Sequence, residues 1–175
     1  LDLGALVKGY AAEKAREIYE ENQVDSALLS LGGMIVTVGQ KPEGEPYQIG
    51  LRDPEGGASD YFGVLSGDGR IISTSGGYER YFEQDGKRYH HILDPRTGYP
   101  AESGLLSVTV LCNDGMKADF LSTTLYIAGT EAVKSHLNEP DYSIIAVTDD
   151  RQVLVSGDLA ESFSLTEDSG YTLAE

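Results

Sequence analysis

The chain has 175 residues, a net charge of −16 and 24% charged side chains, a length suited to one packed domain over residues 1–175. So acidic a surface repels phosphate backbones and argues against nucleic acid as a partner. No run of about 18 apolar residues occurs, so no segment reads as a membrane-spanning helix.

Residues 5–21 (ALVKGYAAEKAREIYEE) predict an amphipathic helix, because Leu6, Val7, Tyr10, Ala11, Ala15 and Ile18 recur at spacings of three and four. Short β-like runs follow at 27–31, 34–38, 47–51, 61–65 and 71–74, separated by Gly, Pro, Asp and Glu. Residues 78–83 and 87–92 predict a hairpin around Asp85-Gly86, a pair that accepts the positive φ of a type I′ turn. A buried strand is expected at 105–112, with Cys112 a core thiol that has no partner for a disulfide. Helices are expected at 115–128 and, shorter and polar, at 130–138, which leaves His136 exposed. Residues 142–148 and 152–155 read as a second hairpin around Asp149-Asp150, and the acidic tail 161–175 as solvated surface. Strands are grouped rather than alternating with helices, so the class is α+β, with mixed sheets and packed helices.

Five segments could carry chemistry. Asp2-Leu3-Gly4 leads into a helix that carries Lys8 and Gly9 in its first turns. Free N–H groups at such a start attract anions, and Lys8 adds a full charge, although an ordinary capped helix has the same spacing. Leu31-Gly32-Gly33-Met34 allows close approach of a ligand, or a plain turn. Residues 73–82 (STSGGYERYF) could present hydroxyls and backbone N–H groups, with Arg80 alternating with Tyr78 and Phe82 on a strand face. His90-His91 precede Ile-Leu-Asp-Pro-Arg-Thr-Gly, a rigid turn, and adjacent strand residues point to opposite faces. Asp119 and Thr123 are four apart on a helix, so both oxygens share a face and could ligate a hard cation such as Mg²⁺. In the plainer alternative, Asp119 favours the helix N-terminus and Thr123 bonds back to a carbonyl.

The order of these segments carries more than any one of them. DLGALVKGYAAEKA, the LGG turn, IGLRDP, STSGGYERYF, HHILDPRTGYP and ADFLSTTLYIAG, spread over roughly residues 1–157, follow the order of the ApbE family. The chain resembles the C-terminal part of these FAD:protein FMN transferases, and the resemblance implies that the N-terminal portion of the family fold is missing. It implies Mg²⁺ held by Asp119, Thr123 and the Ala5 carbonyl, with FAD as substrate. Lys8, Gly32, Gly33, Arg52, Ser75 and Gly76 match segments that line the flavin nucleotide, and His91 matches the motif histidine. Asp119 and His91 would be the catalytic pair. The implied reaction moves FMN to a Thr or Ser hydroxyl of a target flavoprotein subunit and releases AMP. A FAD pyrophosphatase and a non-catalytic flavin-binding module are the alternatives. The family also implies an extracytoplasmic lipoprotein, held to the membrane through a lipid anchor outside this segment. Ser30 and Met34 depart from the polar residues that usually flank the LGG turn, and Val7 replaces a common alanine.

Overall fold

The computed structural model describes residues 3–67 and 69–174. Its elements in chain order are α1 (Val7–Glu21), β1 (Ser26–Ser30), β2 (Met34–Gly39), β3 (Gln48–Arg52), β4 (Tyr61–Ser66), β5 (Ile71–Gly76), β6 (Tyr81–Gln84), β7 (Lys87–His90) and β8 (Leu105–Cys112). Then follow α2 (Gly115–Ala128), α3 (Thr130–Ser135), β9 (Tyr142–Thr148), β10 (Gln152–Val155), β11 (Phe163–Leu165) and β12 (Thr172–Leu173). No described helix is long and apolar enough to cross a membrane.

A seven-stranded sheet in the order β1-β2-β5-β8-β9-β10-β12 forms the backbone of the fold, antiparallel except where β12 joins β10. Alternation along its strands divides the core in two. Val108, Val110, Ile144 and Ala146 face a cluster that includes Ala118, Leu125 and Tyr126 of α2. Ile72, Leu111, Ile145 and Val147 face the opposite way, onto Ile49, Leu51, Phe62 and Leu65 of a three-stranded sheet, β11-β4-β3. The central strands are covered on both sides, so β8 and β9 are buried almost end to end rather than at alternate positions. Cys112 is 3% exposed, as a core thiol should be, and its Sγ points to the Asp141 carbonyl at 3.6 Å.

The hairpin β6-β7 forms a separate two-stranded sheet. Asp85 (φ 52°) and Gly86 (φ 75°) make its turn, as the dipeptide predicts. Its strands are shorter than expected: Tyr78, Glu79 and Arg80 form a turn and bend, so Arg80 does not alternate on a strand face with Tyr78 and Phe82. The predicted helix at 130–138 likewise ends at Ser135, and His136 is only half-exposed, with its Nδ1 2.7 Å from the Ala132 carbonyl.

The C-terminal tail needs the largest correction. Of the tail expected at 161–175, residues 161–174 are described and do not form a solvated apron: Phe163 and Tyr171 are buried, β11 pairs with β4 and β12 with β10. The Tyr171 hydroxyl donates to Asp53 at 2.6 Å. Glu161, Glu167 and Asp168 remain exposed, so the tail is acidic outward while single aromatic residues anchor it inward.

Candidate functional site

The site begins where the two long helices cross. Gly9 of α1 and Gly115 of α2 meet backbone to backbone: a Cβ on Gly9 would lie 2.1 Å from the Gly115 carbonyl oxygen. That contact admits no side chain, which explains a glycine inside an otherwise helical pattern. Glu13 closes the crossing by accepting the Gly115 N–H at 2.7 Å.

The crossing aims the first turn of α1 at Asp119. The Asp119 carboxylate is 1% exposed; its Oδ2 accepts the Gly9 N–H at 3.1 Å, and its Oδ1 lies 3.5 Å from Lys8 Nζ. The anion attracted to the start of α1 is therefore the protein's own carboxylate. A regular ladder would send the Gly9 N–H to the carbonyl of Ala5. Because that N–H turns to Asp119, no backbone N–H among the described residues bonds the Ala5 carbonyl. The Asp2 part of the anticipated anion motif lies outside the described residues.

Capping of α2 falls to Asp114, whose side chain accepts the Lys117 N–H at 2.7 Å. Asp119, one turn further on, is left for another task. Thr123 does reach back, with Oγ1 3.2 Å from the Asp119 carbonyl, but it also lies 3.1 Å from Ser75 Oγ of β5. Ser75 is in turn 2.9 Å from Ser122 Oγ, and Ser122 bonds the Asp119 carbonyl at 3.0 Å and Ser73 at 3.2 Å. Ser73 and Ser75 share a face of β5 with Ile71, the face turned to the helices.

β5 gathers most of the other candidates. Gly32 (φ 56°) and Gly33 (φ 86°) form the tight β1-β2 turn, and the Gly33 carbonyl accepts the Thr74 N–H at 2.7 Å. The turn reading of that pair is what the backbone adopts. Gly76 ends β5 against the ring of Tyr78, and the Arg52 guanidinium lies over that ring, 5.1 Å from its centroid. Arg52 also pairs with Glu79 at 3.0 Å. Burial pushes the Tyr78 phenol well above its ordinary value.

The two histidines part as adjacent residues should. His90 turns inward, its ring edge-on to Tyr126 of α2 with Nε2 3.5 Å from the phenol, and burial lowers its pKa. Burial also pushes the Tyr126 phenol up to about 12. His91 is exposed, just beyond β7, with Nδ1 3.3 Å from the Arg80 carbonyl. A carbonyl only accepts, so Nδ1 carries the proton and Nε2 is left as the basic nitrogen.

Among the described residues no three His, Cys, Asp or Glu side chains gather as a metal cluster. The oxygen groups gathered at this crossing are the Asp119 carboxylate and the hydroxyls of Thr123, Ser122 and Ser75, types that a hard cation accepts. Asp119, Thr123, Lys8, Ser75 and Gly76 therefore come together around α1, α2 and β5; Gly33 and Arg52 join through Thr74 and Tyr78. His91 stands at the margin, tied in through Arg80. Sequence reasoning missed Ser73 and Ser122, although the repeated hydroxyls in STS and ST were the signal.

The profile described as "ApbE family" matches residues 1–163. The chain belongs to the ApbE family. A FAD:protein FMN transferase of Klebsiella pneumoniae (strain 342) is 43% identical over 176 residues, covering 100% of this chain and 54% of that protein. The crystal structure of the ApbE protein of Thermotoga maritima superposes with a TM-score of 0.76 at 36% identity, covering 95% of this chain and 51% of the other. The apo form of the Pseudomonas stutzeri flavinyl transferase ApbE gives a TM-score of 0.70 at 31% identity, over 95% and 48% of the two chains. The chain thus spans about half the length of the ApbE relatives it matches. The α+β class expected from the grouped strands, with the mixed sheets and packed helices of the ApbE resemblance, is the fold these relatives share.

Proposed function

We propose that this chain contributes the diphosphate-facing site of an FMN transferase, which moves FMN from FAD to a Thr or Ser hydroxyl of a target flavoprotein subunit and releases AMP. One observation carries the reading: an almost fully buried carboxylate, Asp119, is held by a helix-terminal N–H and a lysine, one turn from the Thr123 hydroxyl. A buried carboxylate is costly unless paired, and the surrounding oxygens suit Mg²⁺, which accepts carboxylate, hydroxyl and carbonyl ligands alongside water and phosphate. Asp119, Thr123 and the Ala5 carbonyl would hold it. Bound there, Mg²⁺ would supply positive charge to the diphosphate of FAD as the phosphoanhydride bond breaks.

The chain's own groups then divide the work. Lys8, 37% exposed at its side chain, can turn its ammonium from Asp119 to a phosphate oxygen. The Gly32-Gly33 turn meets β5 at Thr74 and the Arg52–Tyr78 stack meets it at Gly76, along the strand where the nucleotide would lie. His91 accepts the proton of the acceptor hydroxyl at Nε2, the nitrogen left free by the contact of Nδ1 with the Arg80 carbonyl. The hydroxyl oxygen forms the new bond to the FMN-side phosphorus, the bridging P–O bond breaks, and AMP takes the electron pair. An exposed histidine fits an acceptor that is itself a protein, because the hydroxyl must arrive from outside.

The test is incubation of the purified protein with FAD, Mg²⁺ and a flavoprotein subunit, read by in-gel flavin fluorescence of the subunit. A fluorescent band that disappears with EDTA is expected. AMP and free FMN without a labelled subunit would point to a pyrophosphatase, and FAD left intact would point to a binding module.

A further inference from the structure

The hydroxyl cluster between β5 and α2 asks for an explanation. The neighbouring strand β8 meets the same helix with Val108 and Val110, whereas β5 meets it with Ser73 and Ser75. Ser73 and Ser122 are fully buried and Ser75 is 8% exposed. Buried hydroxyls cost free energy unless every proton and lone pair is placed.

The placement can be worked out. Within α2 the Asp119 carbonyl accepts the ladder N–H of residue 123, which leaves it one lone pair. Two hydroxyls compete for that pair, Ser122 at 3.0 Å and Thr123 at 3.2 Å. The shorter contact gives Ser122 the carbonyl. Ser122 then has no proton for its other neighbours and accepts from both Ser73 and Ser75. Ser75, having spent its proton on Ser122, can only accept from Thr123, at 3.1 Å. The protons thus run from Thr123 to Ser75 to Ser122 to the Asp119 carbonyl.

We infer that Ser75 and Ser122 are positioning residues that hold the Thr123 hydroxyl proton inward and leave the lone pairs of Thr123 Oγ1 free for a cation. The inference rests on the metal reading proposed above and gives Ser75 a role within the protein interior rather than on the flavin. Without the relay, the Thr123 proton has no acceptor in β5, and the oxygen can rotate its proton toward the cation. Partners that orient a ligand typically change metal affinity by about 10- to 100-fold.

The test is titration of the nucleotide-free protein with Mn²⁺ alone, with free Mn²⁺ measured by electron paramagnetic resonance. Ser75→Ala should raise the Mn²⁺ Kd about 10-fold and Ser122→Ala by less, because Ser122→Ala returns the Asp119 carbonyl to the Thr123 hydroxyl at 3.2 Å, with near-UV circular dichroism in EDTA unchanged. Ser75→Thr, which keeps the hydroxyl, should restore the affinity. Ser75→Cys, close in volume but a weak hydrogen-bonding group, should behave like Ser75→Ala and serves if Ser122→Ala fails to fold. Asp119→Ala is the control for the metal reading itself. If Asp119→Ala loses Mn²⁺ while the serine variants bind like wild type, the relay is wrong and the metal site stands. If Asp119→Ala binds Mn²⁺ normally, both fall together.

Discussion

The crossing of α1 with α2 and the β6-β7 hairpin are built in opposite ways. At the crossing, two helix backbones touch, Asp119 is sealed from solvent, and hydroxyls bond one another in a closed network. On the hairpin, Tyr81, Phe82, Glu83 and Gln84 are all exposed, and ring stacking of Phe82 on Tyr89 at 5.1 Å does the packing. The difference matches the two tasks proposed for them. Metal ligands must stay within a fraction of an ångström of their places, which a close backbone crossing favours. A base that meets a hydroxyl on another protein must be reachable, so His91 stands outside. Rigidity and access are supplied by different parts of one chain.

Four changes would break or sharpen that contrast. Asp119→Ala should cause the largest loss, beyond the ~10- to 100-fold that supporting residues command, taking FMN transfer below detection in the in-gel assay. Transfer at the wild-type rate would mean the crossing is purely structural. His91→Ala should slow transfer by about 10²- to 10⁴-fold while leaving Tm unchanged, because the side chain is exposed and packs on little; an equal rate would remove His91 as the base.

Gly9→Ala tests the rigidity of the crossing. The added methyl has backbone as its neighbour, so the strain lies near the upper end of overpacking costs, about 3 kcal/mol. Better helix propensity returns about 1 kcal/mol. The net loss of about 2 kcal/mol should lower Tm by about 6 °C, as followed by circular dichroism, and weaken Mn²⁺ binding along with it. A Tm at or above the wild-type value would show that the helices can part without cost.

The smallest effect belongs to His90. Burial holds its folded pKa below the ordinary value of 6.5, so the unfolded chain takes up the proton more readily. Its contribution to stability is complete above that value, falls as pH drops below it, and stops falling once the folded ring is protonated too. His90→Gln should therefore flatten the Tm profile between about pH 7.5 and pH 5 by on the order of 1 °C. An unchanged slope would dissociate His90 from acid sensitivity and leave the hairpin's attachment to α2 without an electrostatic component.

Much of this was written along the chain. The apolar spacing of α1, the mostly apolar run of β8 and the Asp85-Gly86 turn each fixed a local conformation, and the order of the motifs fixed the family. Asp119 and Thr123 could be paired from their spacing alone, because a helix puts positions four apart on one face. The tail could not be read the same way. Phe163 and Tyr171 are isolated among acidic residues, with no periodicity to betray them, and they are buried only because β4 and β10 offer edges to pair with.

Local pattern, then, determined the elements, the lineage and the pair of oxygens on α2, since each depends on neighbours within a turn or a strand. Only the tertiary structure decided that Gly9 would give its N–H to a carboxylate 110 residues away, and that Ser75 would stand within hydrogen-bond reach of Thr123. Those contacts join segments far apart in sequence, and their strength comes from the exclusion of water at a packed crossing. No single segment has that property.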